Sequence, residues 1–263
     1  MPAHRAAPPG AALTPGADLT RLLRPFVALA AVVACLAVLV SCDGAPAAGS
    51  ALRAVPTPAA TTAPAPPRLV YAALGASETY GVGAPSISGG YAYLVRDQLH
   101  VAAPDFADVA IPAATLGDAY QTELTNALAI RPNLCTVFFG VNDIRAGVPL
   151  ARFRSDLDDL VTTLVRARCR VLVIGVPDVS ALPVVRASGL GDLAGVSRSW
   201  NAAMQAVAAA AGAAYLDLGA LSAELVAHPE DIAPDGLHPS AAGHARLAAL
   251  VIAALQSRGY TTP

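Results

Sequence analysis

The chain has 263 residues, of which 55% are apolar and 14% charged, so it can bury one sizeable core and we expect a single folded domain. A formal net charge of −2 and an aromatic fraction of 5% argue against a nucleic-acid-binding protein, which needs a basic surface and stacking platforms. The sequence contains no lysine, which excludes Schiff-base chemistry, a phosphate-binding-loop lysine and a Ser-Lys dyad.

The first segment of the chain has the pattern of an export signal. Arg21 and Arg24 precede an apolar run over residues 26–40, which is too short for a comfortable membrane-spanning helix but suits the core of a signal peptide. The run ends in Leu-Val-Ser-Cys, which resembles the lipobox of bacterial lipoproteins and implies that Cys42 is lipidated and becomes the first mature residue. The alternatives are an ordinary secretory signal and an uncleaved anchor, and either would also export the domain. We therefore predict a signal peptide over residues 1–41 and a protein anchored by its lipid on the extracytoplasmic face of the cell membrane.

The next segment, residues 42–67, is composed mainly of Ala, Pro, Thr and Gly and has almost no charge. Such a composition cannot form a core, and its prolines favour extended backbone. We predict a tether over residues 42–67, followed by a folded domain over residues 68–263.

Short apolar runs alternate with helical patterns through the rest of the chain. The predicted strands are residues 69–74, 106–111, 136–141, 171–176 and 213–218. The clearest helices are residues 150–168, with one apolar stripe, and residues 241–257, with Ser240 as N-cap and Gly259 just past the end. Nearly continuous apolar strands that alternate with helices indicate a parallel sheet covered on both faces, which is a three-layer α/β domain.

Polar residues follow three of these strands, at the edge of the sheet where ligands bind in such folds. Ser77 follows the first strand, Asn142 the third, and Asp235 and His238 come after the last. A serine attacks an acyl carbon only when a base removes its proton, and an imidazole is such a base when a carboxylate holds its other nitrogen. His238 and Asp235 suit these two roles because they are three residues apart in one tight loop, and the Asn142 amide suits an oxyanion hole. The alternatives are a turn serine, a loop histidine packed on Pro239 and an Asx-turn aspartate.

Three blocks of the sequence resemble signature blocks of the SGNH (GDSL-type) hydrolases. They read Gly-Ala-Ser at 75–77, Gly-Val-Asn-Asp at 140–143 and Asp-Gly-Leu-His-Pro at 235–239. The resemblance implies a flavodoxin-like fold with five parallel strands in the order 2-1-3-4-5, and ester hydrolysis without a cofactor. It also implies that Ser77 is the nucleophile and an oxyanion donor, Asn142 a second donor, His238 the base and Asp235 its orienting partner.

Two positions depart from the family pattern. Ala76 stands where the family usually has an aspartate, which affects the stability of the loop more than the chemistry. In the second block, residues 111–115, Ala113 stands where a glycine is usual and is the predicted third oxyanion donor. Ala113 keeps the backbone N–H but disfavours a positive φ. Gly117 is a competing candidate, although it falls in the start of a helix.

The resulting functional hypothesis is an extracytoplasmic serine esterase that acts on acyl glycans, lipids or small acyl esters. The alternatives are a non-catalytic envelope-binding lipoprotein that keeps the hydrolase fold, and a thioesterase or lysophospholipase with the same machinery. We expect a monomer whose partners are an ester substrate and, through the lipid, the membrane. No histidine or cysteine spacing predicts a metal site. Glu78, next to the nucleophile, is interpreted as an acid in the first turn of a helix.

Two cysteines fall in the predicted domain. Cys135 is expected just before the third strand and Cys169 just before the fourth, and in the flavodoxin-like order these strands are neighbours. Both cysteines then lie at the amino-terminal edge of the sheet, within reach of a disulfide. The alternative is two free thiols that point to opposite faces of the sheet.

Overall fold

The computed structural model describes residues 68–188 and 193–261. The predictions for the signal peptide (1–41), Cys42 and the tether (42–67) lie outside the described residues. Within the described residues the chain forms one sheet of five strands in the order β2-β1-β3-β4-β5. All four strand pairings are parallel. The strands are β1 Tyr71–Gly75, β2 Phe106–Asp108, β3 Leu134–Phe138, β4 Arg170–Ile174 and β5 Ala214–Leu216. The predicted fold and strand order are confirmed.

Helices cover both faces of this sheet. The described α-helices are α1 Ser77–Tyr80, α2 Tyr91–Gln98, α3 Leu116–Ala129, α4 Val141–Arg145, α5 Leu150–Arg166, α6 Pro183–Ser188, α7 Ala194–Ala211, α8 Ser222–Ala227 and α9 Ala241–Ser257. Five 3-10 turns join them in the described chain, at Ile87–Gly89, Ala103–Asp105, Val179–Ala181, Gly219–Leu221 and Pro229–Asp231. None of the helices in the described residues is long and apolar enough to cross a membrane.

The two faces of the sheet have separate cores. One contains the inward stripe of α5, including Leu157 and Leu164, together with α3 and α7. The other contains Tyr91 of α2 and Leu247 of α9. The strands between them are buried on both sides, which explains why they are apolar without alternation. Burial of these two faces is the main favourable contribution to folding.

The strand ends differ from the prediction where the chain enters the functional edge. β3 begins at Leu134, two residues before the predicted start, and ends at Phe138, three residues before the predicted end. It ends early because Gly140 turns the chain with a φ of +122° and α4 begins at once. β2 ends at Asp108 rather than at residue 111, although Ile111 still donates to the Gly75 carbonyl at 3.1 Å.

The ends of α9 follow the prediction. The helix spans Ala241–Ser257, and the Ser240 Oγ accepts from the Gly243 N–H at 3.3 Å as an N-cap. Gly259 follows with a φ of +66°. α9 therefore begins immediately after the loop that contains His238, and its cap fixes where that loop ends.

Cys135 and Cys169 form a disulfide in the structure, with their Cα atoms 6.1 Å apart. The predicted location of Cys135 was wrong by a small margin, because β3 begins one residue before it and Cys135 lies inside the strand. Its neighbour across the ladder is Val171, two residues after Cys169. Residues two apart in a strand point to the same face, so both sulfurs lie in the core between the sheet and α5.

Candidate active site

The predicted site residues meet at the carboxyl-terminal edge of the sheet. Ser77 is the first residue of α1, two residues after β1 ends, and Asn142 lies in the first turn of α4, just after β3. Asp235 and His238 lie in the loop before α9. Parallel strands that end at one edge thus place three distant segments of the chain together.

The Asp235 side chain makes two kinds of contact. Its Oδ2 is 2.6 Å from the His238 Nδ1, and its Oδ1 accepts from the backbone N–H groups of Leu237 at 2.9 Å and His238 at 3.0 Å. Burial opposes the charge on Asp235, but the hydrogen bonds from the His238 ring and from these N–H groups outweigh it and lower the pKa of the carboxyl group. The sequence analysis gave an Asx-turn and the orientation of His238 as alternative interpretations of Asp235. In the structure, its carboxylate makes both sets of contacts.

Ser77 is nearly buried, with 6% of its surface exposed. Its hydroxyl donates to Glu78 Oε2 at 3.2 Å, and within the described chain it makes no direct hydrogen bond to His238. The segment after α1 nevertheless lies against the histidine loop. A Cβ placed on Gly83 would come within 2.2 Å of the Pro239 carbonyl oxygen and 3.2 Å of the His238 Cβ. Only glycine permits this approach.

His244, on α9, connects this helix to the segment that follows α1. Its Nε2 is 3.0 Å from the Val82 carbonyl oxygen, and its Nδ1 accepts from the Tyr91 N–H at 3.2 Å. Because a carbonyl only accepts and an N–H only donates, these contacts select the neutral tautomer with the proton on Nε2. Burial lowers the pKa of His244 accordingly. His244 is a structural link between the two segments rather than a reacting group.

Asn142 and the second block lie in contact. The Asn142 Nδ2 donates to the Ala114 carbonyl at 3.1 Å, and its Oδ1 accepts from Arg145 at 3.3 Å. An amide nitrogen has two hydrogens, so one remains to bind an oxyanion. Ala113 adopts a φ of +66°, which is the left-handed conformation that favours glycine. The competing candidate, Gly117, lies in the first turn of α3, as expected.

The comparisons with known proteins identify the family of the chain. Residues 73–246 match the GDSL-like Lipase/Acylhydrolase family. The chain belongs to this family. The protein is therefore an enzyme, an SGNH-type esterase that hydrolyses ester bonds. No curated protein sequence gives a significant match.

Solved structures with the same fold include several esterases. The lipase/acylhydrolase from Enterococcus faecalis is 22% identical with a TM-score of 0.60, and the match covers 72% of this chain and 97% of that one. TesA is 22% identical with a TM-score of 0.58, covering 71% and 98% of the two chains. A catalytic mutant of an acetylxylan esterase from Geobacillus stearothermophilus is 18% identical with a TM-score of 0.55, covering 70% and 93%.

Glu123 is a residue of this esterase that the sequence analysis missed. It lies on α3 and is 1% exposed. Its Oε2 accepts from the Gly75 N–H at 2.8 Å and its Oε1 from the Ile111 N–H at 3.0 Å. Gly75 and Ile111 each stand two residues before a predicted oxyanion donor, Ser77 and Ala113 respectively. Glu123 therefore links the turn that leads to Ser77 with the second block, residues 111–115.

A signal for Glu123 was present in the sequence. Leu116, Ala119, Leu124 and Ala127 form the buried stripe of α3, and Glu123 falls on that stripe as an acid among apolar residues. Burial raises the pKa of Glu123 to about 8, although the two backbone N–H groups lower it. A buried acid on an apolar stripe needs such partners.

Two further carboxyl groups lie at this edge, that of Asp143 buried and that of Asp108 half-buried. Asp143 accepts from the Leu116 N–H at 3.0 Å, which joins the Asn142 loop to the start of α3, and burial raises the pKa of Asp143 to about 6. Burial raises the pKa of Asp108 to about 7, and its Oδ1 accepts from the Ala110 N–H at 3.1 Å. In the described part of the chain, no cluster of His, Cys, Asp and Glu side chains could hold a metal ion.

Proposed function

We propose that this esterase is an exported, lipid-anchored serine hydrolase in which Ser77, His238 and Asp235 act as a triad. The observation that supports it most directly is the contact between Asp235 Oδ2 and His238 Nδ1 at 2.6 Å, in a loop packed against the segment that follows Ser77. This contact holds the ring with Nδ1 protonated and leaves Nε2 as the base.

The reaction would begin with rotation of the Ser77 hydroxyl from Glu78 towards His238. Such contacts are often loose before substrate binds and tighten in the complex. The Ser77 Oγ attacks the ester carbonyl carbon while His238 Nε2 takes its proton, and Asp235 stabilises the imidazolium. The N–H groups of Ser77 and Ala113 and the Asn142 Nδ2 donate to the oxyanion. The alcohol leaves with the proton from His238, and water then cleaves the acyl-enzyme by the same steps.

The substrate class proposed is carboxylic esters, including acyl glycans, lipids and small acyl esters. Among proteins with a similar fold, one is named an acetylxylan esterase and another a lipase/acylhydrolase, and both names agree with this range. A thioesterase or lysophospholipase would use the same groups. A non-catalytic envelope-binding protein would have no need of the 2.6 Å Asp235–His238 contact.

Active-site labelling tests the proposed nucleophile. A fluorophosphonate probe should label the wild-type protein at Ser77 and should fail to label Ser77→Ala. Ser86→Ala, which changes an exposed serine nine residues away, is the matched control and should label normally. Nitrophenyl esters and acetylated xylan should be hydrolysed by the proteins that label. Labelling of another residue would rule out Ser77 as the nucleophile.

The location is a separate part of the proposal. A diacylated Cys42 has two acyl chains, which suffices for stable anchoring where one chain is marginal. Cys42→Ser should release the protein from membranes or leave an unprocessed precursor, and Cys35→Ser should do neither. Mass spectrometry of the mature N-terminus checks this, and an unlipidated terminus beyond Cys42 contradicts it. We propose that the enzyme acts as a monomer, which its mass in solution tests.

A further inference from the structure

A polar groove of about 400 Å³ lies between α7 and the edge strand β5, and we call it the α7–β5 groove. The lining residues that matter for the argument are Asp178, Arg198, Asn201, Gln205, Tyr215 and Asp217. The lining includes neither Asn142 nor any residue of the proposed triad, so the groove is separate from the candidate active site. Its volume falls in the range of small-ligand sites, which is about 300–1,000 Å³.

The buried part of the groove is fixed by hydrogen bonds to the end of β4. The Asn201 Oδ1 accepts from the Val176 N–H at 2.9 Å, and its Nδ2 donates to the Val176 carbonyl at 2.8 Å. The Ser197 hydroxyl accepts from the Val179 N–H at 3.1 Å. These bonds hold α7 at a set distance from the sheet, so the groove is preformed, as ligand sites usually are.

Other polar groups of the groove are left without a partner by the described part of the chain. Arg198 and Gln205 are exposed and make no hydrogen bond or ion pair with the described residues. The Asp217 Oδ1 accepts from the Ala220 N–H at 3.1 Å, while its Oδ2 accepts from none of the described residues. The groove therefore offers guanidinium donors, a carboxylate acceptor and an amide that both donates and accepts.

The Tyr215 hydroxyl is a buried group that lacks a partner. Among the described residues no atom forms a hydrogen bond with it. Burial, together with the charge on Asp217, raises the pKa of Tyr215, so the hydroxyl keeps its proton. A buried donor without an acceptor is unfavourable, and a ligand that accepts from Tyr215 would remove this cost.

The charges of the groove favour a neutral ligand. Asp178 and Asp217 supply two negative charges and Arg198 one positive charge, so the excess of negative charge opposes a phosphate or carboxylate ligand. No cluster of His, Cys, Asp and Glu side chains in the described chain could hold a metal ion. A hydroxyl group both donates and accepts, so a ligand with many hydroxyls can bind the carboxylates, the guanidinium and the amide together.

α7 sets the length of the groove. Ala194 and Gln205 both line it, and eleven residues of helix separate them by about 16 Å. A span of this length exceeds a single sugar ring and suits a chain of a few linked rings.

We propose that the α7–β5 groove is a saccharide-binding site that takes a neutral chain of a few linked sugar rings. Arg198 and Asp217 bind hydroxyls of the chain from opposite walls, and Tyr215 donates to one of its oxygens. The site acts in binding alone and does not depend on the proposed triad.

Calorimetric titration with neutral oligosaccharides tests the site. The probes are cellohexaose, mannohexaose, maltohexaose and xylohexaose, which contain no ester and no charge. We expect at least one of them to bind saturably, and to bind Ser77→Ala as tightly as wild type because Ser77 does not line the groove. No saturable binding of any of the four overturns the proposal.

Three substitutions in the groove locate the binding. Arg198→Ala and Asp217→Asn should each weaken it by about tenfold or more, because each removes hydrogen bonds to a charged group. Asp217→Asn keeps the oxygen that accepts from Ala220. Tyr215→Phe should weaken binding without lowering the melting temperature, because among the described residues its hydroxyl has no hydrogen bond to lose.

Arg154→Ala, which removes an exposed arginine of α5, is the matched control and should bind like wild type. Turnover of nitrophenyl acetate should be unchanged in Arg198→Ala, since Arg198 lies outside the candidate active site.

The outcomes separate this inference from the proposed function. Binding that Arg198→Ala, Asp217→Asn and Tyr215→Phe all leave unchanged overturns the groove as its location, and so does binding that Ser77→Ala abolishes. A protein that binds an oligosaccharide through the groove but hydrolyses no ester refutes the proposed triad and leaves the saccharide site standing.

Discussion

The two edges of the sheet differ in what holds them. At the amino-terminal edge, the Cys135–Cys169 disulfide joins β3 to the residue before β4, and Asn133 bonds the Val70 N–H at 2.9 Å and the Arg68 carbonyl at 2.8 Å. At the carboxyl-terminal edge, Glu123 and Asp143 accept backbone N–H groups from loops that contain the site. One edge is held by a covalent bond and a neutral amide, the other by buried carboxyl groups.

Residues with left-handed backbone occur at both edges, but their structural role differs. His100, Arg131 and Arg168 have φ values of +53°, +53° and +67°, and each lies just past the end of a helix. There the conformation ends the helix. Ala113, with a φ of +66°, lies in the second block and ends no helix. At the carboxyl edge, the left-handed residue therefore lies in the segment that is predicted to supply an oxyanion donor.

The largest loss of activity should come from substitutions in the proposed triad. Ser77→Ala and His238→Ala should each lower kcat by about 10⁵–10⁶, and the double variant little more, because the residues act as a unit. Melting temperatures should stay close to wild type. Steady-state kinetics with a nitrophenyl ester and thermal melts measure both, and substantial turnover by Ser77→Ala would remove it from the mechanism.

Two asparagines, one at each edge, form a matched pair. Asn142→Ala should lower kcat by about 10²–10³ with KM nearly unchanged, because in the proposed mechanism its free amide hydrogen binds the oxyanion of the transition state. Asn133→Ala should leave kcat unchanged and lower stability by about 1–2 kcal/mol through its lost backbone hydrogen bonds. An Asn142 variant with normal kcat would show that it is not an oxyanion donor.

Removal of the disulfide should affect stability alone. The bond closes a loop with a sequence separation of 34 residues, which stabilises by about 3–4 kcal/mol in the chain-entropy model. The Cys135→Ala, Cys169→Ala double variant should melt at a lower temperature with the same pH profile of hydrolysis, since the bond lies opposite the site. Thiol titration of the denatured, unreduced protein gives an independent check, and two free thiols would contradict the disulfide.

Glu123→Gln should change both the activity and the pH dependence of stability. In the variant, the NH₂ group of Gln faces one of the two backbone N–H groups that Glu123 binds, so one of these two hydrogen bonds is lost. We expect kcat to fall by about tenfold, because the proposed oxyanion donors then shift. Burial raises the pKa of Glu123 from 4.5 to about 8, so the native state keeps a proton that the unfolded chain has lost. Wild-type stability should therefore fall as the pH rises from about 4.5 to 8 and level off above that, and the test uses the upper part of this range, from about pH 6.5 to 8.

The same window isolates Glu123 from other groups. His244 has a pKa that burial lowers from 6.5, so above that value its protonation adds little. Asp108 and Asp143 titrate in both proteins, so of these two only the interaction of Asp108 with Glu123 differs between them. Thermal melts should show a smaller decline with pH in Glu123→Gln than in wild type. Equal slopes would mean that Glu123 is ionised in the native protein throughout this range.

The smallest expected effect is the change in stability caused by Ala113→Gly. Its left-handed conformation costs an alanine about 1–2 kcal/mol, and glycine removes that cost but gains entropy in the unfolded chain. Ala113→Gly should therefore stabilise by about 0.5–1 kcal/mol and leave kcat unchanged, because the N–H remains. A loss of activity would indicate that the methyl group contacts the substrate.

Much of the fold followed from local patterns. The bounds of α9 were predicted to the residue, because Ser240 and Gly259 are strong signals at its two ends. The bounds of β2 and β3 were less accurate, because an apolar run continues past the point where the chain turns, and a turn such as that at Gly140 depends on what packs against it.

The sequence by itself determined the parallel α/β fold and, through its family blocks, the strand order, and it predicted Ser77, Asn142, Asp235 and His238 as site residues. These features depend on local periodicity and on motifs that lie close together in the chain. Tertiary structure alone decided that Asp235 both forms an Asx-turn and holds His238, and that Glu123 joins two loops. Each of these depends on which groups become neighbours in the folded chain, and a hydrogen-bond partner is set by that packing rather than by propensity.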